Sequence, residues 1–300
     1  MNKEITIVIP SYNHAKYLPN LLQRMKGLIT TGVYLYIIDD CSTDNSRELI
    51  TKFKDDISND NVTVVFKDKN KGLVDSLNQA LVFTKTELFY IISSDDLIDP
   101  NSFTQSIDYI NKNPNMDFYI FGALNIYTDG TSTNVYNQQH HDFFSLPPLI
   151  RKEKIFYDHP SPILLQSTIF KTNVLIKLDI FNRKLKFDDY PTFIKLFTHM
   201  PFLNFSFHPK IILCHYHHHE NNTYKNYKKM YSMFFDVYLA LCPRNLINIS
   251  LSQIWFTYFA RSIREKNLKT LPYLIKKFKA SFLLYLPYFI KTKLRKKNGI

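Results

Sequence analysis

Short apolar runs alternate with longer amphipathic stretches through the first half of the chain. ITIVI at 5–9, VYLYII at 33–38, VTVVF at 62–66 and LFYIIS at 88–93 are rich in β-branched and aromatic residues. Runs of this length and composition predict buried strands. Between them, 15–26, 43–54 and 72–85 have helical length, and the last carries Leu73, Leu77 and Leu81 at i, i+4 spacing. Strands alternating with crossover helices predict an α/β fold with a mainly parallel, doubly wound sheet. Pro100 is placed to start a helix running to about 112, and 116–127 reads as a further strand. The stretch 128–162, rich in Asn, His and Pro, is expected to be irregular and to contain a mobile loop. A helical pattern at 189–199 precedes an apolar run at 211–213 and a histidine-rich cluster at 215–223, and there is no internal repeat.

In sheets of this kind ligands bind beyond the carboxyl ends of the strands, so the residues after each strand carry the chemistry. Here they are Pro-Ser-Tyr-Asn (10–13), Asp-Asp-Cys-Ser-Thr-Asp (39–44), Lys-Asp-Lys-Asn-Lys-Gly (67–72) and Ser-Ser-Asp-Asp (93–96). Four loops thus bring carboxylates, amides and a lysine to one edge. Asp95 and Asp96 end a buried strand, where adjacent carboxylates are costly unless a cation neutralises them. A hard divalent ion, Mg²⁺ or Mn²⁺, takes oxygen ligands and shares them with phosphates. The competing reading is an N-cap for the helix at Pro100, and for an isolated Asp-Asp pair it is the commoner one. The string HYHHHE at 215–220 suggests zinc, but consecutive histidines cannot all face one ion in regular structure. With six glycines and neither G-x-x-x-x-G-K-[ST] nor G-x-G-x-x-G, the chain has no glycine-rich phosphate cradle, which leaves the phosphates to a metal.

Taken together, ITIVIPSYNHAKYLPNLL, IIDDCSTDNS, NKGLVDSLNQAL and YIISSDDLIDP resemble, in order and spacing, the family 2 glycosyltransferases of the GT-A fold, in particular bacterial O-antigen and capsular polysaccharide enzymes. The resemblance runs over about 4–225 and is most specific in the first hundred residues. It implies a nucleotide-sugar-binding fold in which Pro10, Tyr12, Asn13 and Asp40 line the nucleotide pocket, Asp40 contacts uracil or ribose, and Lys71 approaches the base or diphosphate. Asp95 becomes the metal-binding acid of the D-x-D element, with Asp96 beside it. KLKFDDYPTFIKLF at 184–197 resembles the family's Glu-Asp-aromatic segment and makes Asp189 the base that deprotonates the acceptor hydroxyl, with Asp188 in place of the glutamate. CHYHHHENNTYKN at 214–226 resembles the Tyr-Arg-x-His-x-x-Asn segment and sets His219 near the metal and diphosphate. Two positions depart from the pattern: Cys41 stands where glycine is common, and Ser93 where an aspartate is common.

The implied reaction is a single in-line displacement at the anomeric carbon with inversion, moving a hexose from a UDP-sugar to a lipid-linked acceptor with Mn²⁺ or Mg²⁺ as cofactor. A glycosidase-like carboxylate pair is the competing chemistry, and a catalytically silent nucleotide-sugar-binding protein of the same fold is the rival class. Composition fits a core-forming chain: 45% of 300 residues are hydrophobic. Cys41, Cys214 and Cys242 are odd in number and far apart, as expected of reduced thiols in the cytoplasm. The first apolar run is too short and too β-branched for a signal peptide, so the mature chain is expected to start at Met1.

Charge is segregated. Residues 261–300 hold twelve Lys and Arg against Glu265 alone, and so carry eleven of the twelve net positive charges. A basic end on a nearly neutral body points to an anionic surface rather than to nucleic acid. The longest apolar stretch of this tail, 282–290, contains Pro287 and is too short to span a bilayer. An amphipathic segment in the headgroup region, or a helix packed on the domain with a solvated basic face, accounts for it. The expected organisation is a GT-A catalytic domain at 1–225, with a nucleotide-binding half at 1–127 and an acceptor-binding half at 128–225. A helical, basic, membrane-associating extension follows at 226–300, and the protein is expected to be peripheral on the inner face of the cytoplasmic membrane.

Overall fold

The computed structural model describes residues 3–181, 184–185, 187–199, 203–220 and 222–297. In chain order the first elements are β1 (Ile5–Ser11), α1 (Leu18–Lys26), β2 (Val33–Asp39), α2 (Ser46–Ile57), β3 (Val62–Phe66), α3 (Leu73–Phe83), β4 (Leu88–Ile91), β5 (Leu97–Ile98), α4 (Pro100–Lys112), β6 (Phe118–Ile126) and β7 (Ser132–Asn134). They are followed by α5 (Gln138–Phe144), α6 (Pro148–Tyr157), β8 (Thr168–Lys171), α7 (Thr172–Lys177), α8 (Asp189–His199), β9 (Phe205–His217), α9 (Tyr227–Leu241), α10 (Ile247–Arg264), α11 (Leu271–Lys277) and α12 (Leu286–Lys297). The chain forms two compact units: Met1–Tyr136 with Pro162–Thr192 and Leu203–His218, and Asn137–Ser161 with Phe193–Phe202 and His219–Ile300. This grouping differs from the sequence boundary after residue 225, because 137–161 and 193–202 cluster with the C-terminal helices.

The first unit is built on one sheet of order β3-β2-β1-β4-β8-β6-β9-β5, with β7 pairing β6. β3, β2, β1 and β4 are mutually parallel, as expected of strands joined by crossover helices. Beyond them the sheet is mixed: β8 runs antiparallel to β4 and β6, and β9 runs parallel to β6 but antiparallel to β5. Pro10 is tolerated in the central strand β1 because β4 pairs with it only as far as Val8, so no ladder donor is missed there. On α3 the buried face is Val74, Leu77, Ala80 and Leu81, whereas Leu73 is exposed. The expected Leu73–Leu77–Leu81 stripe is therefore rotated by one residue at its start. α4 begins as expected, with Pro100 in its first turn and Asp99 as N-cap accepting from Ser102 N at 2.7 Å.

Where β6 meets β9 the register shifts around Gly122, which pairs with Ile212 while its neighbour Phe121 pairs with His208. The intervening residues, including Pro209, bulge out of the ladder. A Cβ on Gly122 would lie 2.2 Å from Pro209 O and 2.7 Å from Ile212 Cδ1, so only glycine admits the bulged backbone.

The second unit is helical, and it corrects the expectation of an irregular, mobile 128–162. That stretch contains β7, α5 and α6 and buries His140, Phe143, Phe144, Ile155 and Phe156. The polar composition that suggested a loop is used locally. Asn137 caps α5 in a capping box with His140, and buried Arg151 donates to Phe144 O at 2.8 Å and Leu146 O at 2.9 Å while its guanidinium covers the Phe197 ring at 5.1 Å. Toward the C-terminus, Trp255 on α10 donates its Nε1–H to Leu274 O at 2.8 Å and stacks on Phe259.

Gly122→Ala is expected to cost about 2–3 kcal/mol, because two of the three clashing atoms are backbone oxygens that cannot rotate away. Urea denaturation measures the loss, and an unchanged midpoint would show that the bulge can open.

Candidate active site

The loops after β1 and β2 are tied to each other before they meet anything else. Asn13, at φ 53°, donates its amide to Ser42 Oγ at 2.9 Å, and its side-chain oxygen accepts from Thr43 N at 2.8 Å. Tyr12 beside it is exposed. Asp39 is fully buried, accepts from Ser42 N at 2.9 Å and pairs with Arg47 Nε at 2.9 Å. Asp40 binds three donors: Lys67 Nζ at 2.9 Å and Lys71 N at 3.0 Å on Oδ1, and Gly72 N at 2.7 Å on Oδ2. Lys67 is 8% exposed, and its ammonium also meets Asp75 at 2.9 Å and Ser76 Oγ at 2.8 Å. One buried cation therefore bridges the ends of β2 and β3 and the start of α3. The close approach of Gly72 N to Asp40 requires the backbone at φ 87°, which suits glycine.

After β4 the chain turns through 93–96, with Asp96 N donating to Ser93 O at 3.0 Å, and then enters β5. The C-terminal half of β9 pairs with β5 and brings His217 N to Asp96 Oδ1 at 2.9 Å. Asp95 keeps partial exposure and faces His14 Nε2 at 3.9 Å, while His14 Nδ1 lies 2.7 Å from Ser94 Oγ. Ser93 accepts from Gln166 Nε2 at 2.9 Å, and the Gln166 carbonyl accepts from Tyr90 OH at 2.7 Å. Farther along, Asp189 opens α8 and accepts from Leu165 N at 3.1 Å.

These acids act on one another. Burial, repulsion from Asp95 and a smaller repulsion from Asp189 push the Asp96 carboxyl well above the ordinary range, against the lowering effect of His217 N. Burial and Asp188 do the same to Asp189, opposed by Leu165 N. Between them the buried Cys214 thiol is pushed well up, by burial and then by Asp96, Asp95 and Asp189. The first unit thus gathers Asp95, Asp96, Asp188 and Asp189 into one electronegative region.

Against this geometry the comparisons with known proteins fall into place. Residues 6–173 match the sequence profile of Glycosyl transferase family 2. The chain belongs to this family. An uncharacterized glycosyltransferase of Rickettsia typhi is 25% identical over 198 residues, which are 64% of this chain and 58% of that protein, so the chain spans little more than half of this relative's length. Among solved structures, S. aureus TarS 1–349 in complex with UDP-GlcNAc has a TM-score of 0.60 at 18% identity, covering 96% of this chain and 79% of that 1–349 chain. The mannosyltransferase PcManGT from Pyrobaculum calidifontis, in complex with GDP-Man and Mn²⁺, has a TM-score of 0.58 at 14% identity, covering 98% of this chain and 87% of its own. The fold is therefore the GT-A fold.

In this family 2 chain the sequence-predicted residues divide. Pro10, Tyr12, Asn13 and Asp40 lie in adjoining loops at the carboxyl ends of β1 and β2. Asp95, Asp96 and Asp189 form the acidic region. Lys71 is exposed and reaches Asp40 through its backbone amide; the lysine that meets Asp40 by charge is Lys67, four residues earlier. His219 belongs to the second unit, where its amide donates to Asn222 Oδ1 and its Nε2 lies 3.2 Å from Asn222 Nδ2. Among the described residues no group of three or more His, Cys, Asp or Glu is arranged to hold a metal ion. Lys67, Gln166 and His14 escaped the sequence reading. Lys67 and His14 stand inside motif strings, but nothing local marks them as the members that turn inward, and Gln166 is joined to Ser93 only by the fold.

Lys67→Met leaves Asp40 and Asp75 without their shared cation, and is expected to destabilise the protein by about 3 kcal/mol, while Lys67→Arg recovers part of it. Chemical denaturation of the two variants decides this, and equal midpoints for Met and wild type would refute the bridge.

Proposed function

We propose that this chain is an inverting hexosyltransferase. It would move a hexose, with glucose and galactose as the first donors to try, from a UDP-sugar to a lipid-linked (undecaprenyl diphosphate) sugar in O-antigen or capsule synthesis, forming a β-linkage. The observation that carries the reading is the joint placement of Asp189 with Asp95 and Asp96, next to the loops that hold Tyr12, Asn13 and Asp40. A proton acceptor and a diphosphate-end carboxylate pair are what one in-line displacement needs. TarS with UDP-GlcNAc and PcManGT with GDP-Man and Mn²⁺, proteins of the same fold, support a nucleotide-sugar donor.

The donor set suits Mn²⁺ or Mg²⁺. Asp95 is partly exposed, and burial followed by the charge of Asp95 raises the Asp96 carboxyl, a penalty that a bound cation would offset. Asp95 and Asp96 would be the residues that hold the ion, which would supply positive charge to a diphosphate. Such an ion would offset charge growing on the departing nucleoside diphosphate. Lys71 is the candidate contact to the base or diphosphate. In this reading Asp40, held by Lys67 and two amides, presents its edge to uracil or ribose, and Tyr12 and Asn13 border the base.

Asp189 in its ionised form accepts the proton of the acceptor hydroxyl, a role worth on the order of 10² to 10⁴ in rate. The Leu165 amide fixes the carboxylate while leaving its second oxygen for the acceptor. Work on a lipid-linked acceptor at the inner face of the cytoplasmic membrane fits the basic segment 261–300, and fits the finding that no helix among the described residues is long and apolar enough to cross a bilayer. Transfer from a panel of radiolabelled nucleotide sugars into membrane lipid extract tests the function as a whole; nucleotide-sugar binding without turnover from any donor would instead make the protein a binding module.

Asp189→Asn preserves the acceptor for Leu165 N and is expected to keep donor binding while transfer falls at least 10²-fold. An active Asp189→Asn beside a dead Asp188→Asn would move the base by one residue. The pH profile follows from the raised carboxyl. Only the ionised form works, so wild-type kcat should fall on acidification at a pH clearly above the roughly 3.9 of an ordinary aspartate, and a limb at that ordinary value would refute the assignment.

For the metal, Asp95→Ala is expected to abolish turnover and Asp96→Ala to damage it severely, with activity lost in EDTA and restored by Mn²⁺ or Mg²⁺. Full activity in excess EDTA would overturn the metal.

A further inference from the structure

The C-terminal segment of the second unit has already satisfied its own packing. Leu274 and Phe282 are fully buried, and Phe289 packs on Phe256 with ring centroids 5.2 Å apart. Tyr288 OH donates to Asp158 Oδ2 at 3.3 Å, and Thr292 is buried. On α12 the residues turned inward are thus Tyr288, Phe289 and Thr292. The opposite stripe, Pro287, Ile290 and Leu294 at i, i+3 and i+7, is exposed. Just before it Leu283 and Leu284 are 54% and 78% exposed, and Ile275 on α11 is exposed as well. Aliphatic residues gathered on the outward side of a segment that is already packed mark a candidate docking surface. Lys276, Lys277, Lys279, Lys291 and Lys293 are interleaved with these apolar residues, and all of them are exposed.

We propose that this outward surface, centred on Leu283, Leu284, Ile290 and Leu294, docks on the anionic leaflet of a bilayer, the leucines entering the headgroup boundary while the lysines meet lipid phosphates. The proposal deepens the membrane setting given above, but stands on this surface and not on the transfer reaction. Charge selects the partner. Twelve basic residues against one acid in 261–300 would make a second copy of the same surface repel the first, and a nucleic-acid site has no use for a row of exposed leucines. An anionic leaflet offers both halves of the match, an apolar layer beneath a negative one. Pro272 and Pro287 interrupt the segment, and no helix among the described residues is long and apolar enough to cross a bilayer, so it lies on the surface instead of spanning it.

The test uses the full chain, because deleting the tail would uncover Trp255 and Phe256. Sedimentation is measured with vesicles of phosphatidylglycerol mixed with phosphatidylcholine, and with phosphatidylcholine alone, for wild type, the double variant Leu283→Ser/Leu284→Ser, and the double variant Lys276→Gln/Lys291→Gln. Wild type should bind the anionic vesicles and be partly released by salt. The serine variant should bind at least roughly tenfold more weakly at any salt concentration, and the glutamine variant should lose affinity mainly at low salt. Thermal unfolding and sugar transfer to a short soluble acceptor should be unchanged in both, which separates failure of docking from failure of the transferase reading. Equal sedimentation of wild type and serine variant, equal binding to neutral and anionic vesicles, or wild-type self-association abolished by the serine substitutions without any vesicle binding would each overturn the proposal, the last in favour of a second copy of the chain.

Discussion

Repulsion among carboxylates confined to one end of the sheet is the constraint around which the first unit is organised. Asp96, 2% exposed, sits beside Asp95 and feels Asp189, and Asp189 adjoins Asp188. No arrangement of apolar neighbours relieves this. The fold meets it with backbone dipoles, His217 N on Asp96 and Leu165 N on Asp189, each delivered by a segment that needs long-range pairing to arrive there. β9 reaches Asp96 only because its bulge at Gly122 resets the register with β6, and because β5 offers a short antiparallel partner. Two amides reduce the penalty without removing it, so both carboxyls stay raised. A site kept in this condition binds protons or cations more readily than an ordinary surface carboxylate, and whatever neutralises it also stabilises the folded state.

A second electrostatic device orders the neighbouring loops by the opposite means. Lys67 is enclosed by Asp40, Asp75 and Ser76, so the charge of Asp40 is compensated within the protein. That leaves Asp40 held on both oxygens, whereas Asp96 meets a single backbone donor beside another carboxylate. The difference between the two acid sites is thus set by one buried ammonium. Cys41, next to Asp40, takes φ 66° in the turn where family members commonly have glycine, and its Sγ lies 3.4 Å from Asp68 O. The turn geometry is retained at some conformational cost, which the surrounding Asp40 and Ser42 contacts hold in place.

Sequence carried the first hundred residues well because there the fold is local. Each of β1 to β4 is an uninterrupted apolar run, each polar loop follows its strand, and adjoining loops meet because parallel strands end together. The positions of Asp40, Asp95 and Asp96 just after their strands were legible for that reason. What was not legible depends on contacts distant in sequence. Lys67 and Lys71 are equivalent by composition, and the choice between them is made by which side chain turns under α3. Gln166 matters through Ser93, 73 residues away, and neither residue signals the other. The stretch after Tyr127 looked irregular because its polar residues cap and brace helices instead of alternating with apolar ones, as Asn137, His140 and Arg151 do. The mixed half of the sheet was hidden for a related reason: β8 is only four residues long, and β9 alternates poorly across its bulge.

The C-terminal segment shows why a sequence pattern can support two readings that are not exclusive. Alternating aromatic, aliphatic and basic residues fit a helix packed on the protein, and they also fit one lying on a membrane. The structure buries some of these residues and leaves others exposed. Phe282, Phe289 and Thr292 serve the interior, and Trp255 is anchored to the same segment through Leu274. Leu283, Leu284, Ile290 and Leu294 serve no contact that the interior requires. Aliphatic residues kept facing water beside lysines weaken solubility without adding to the core, so packing alone accounts for only half of the segment. The other half follows once the outward side has a surface of its own to meet. On the docking proposed above, the prolines at the starts of these short helices would hold the side chains at the level of the membrane surface, where a continuous apolar helix would have been drawn through it.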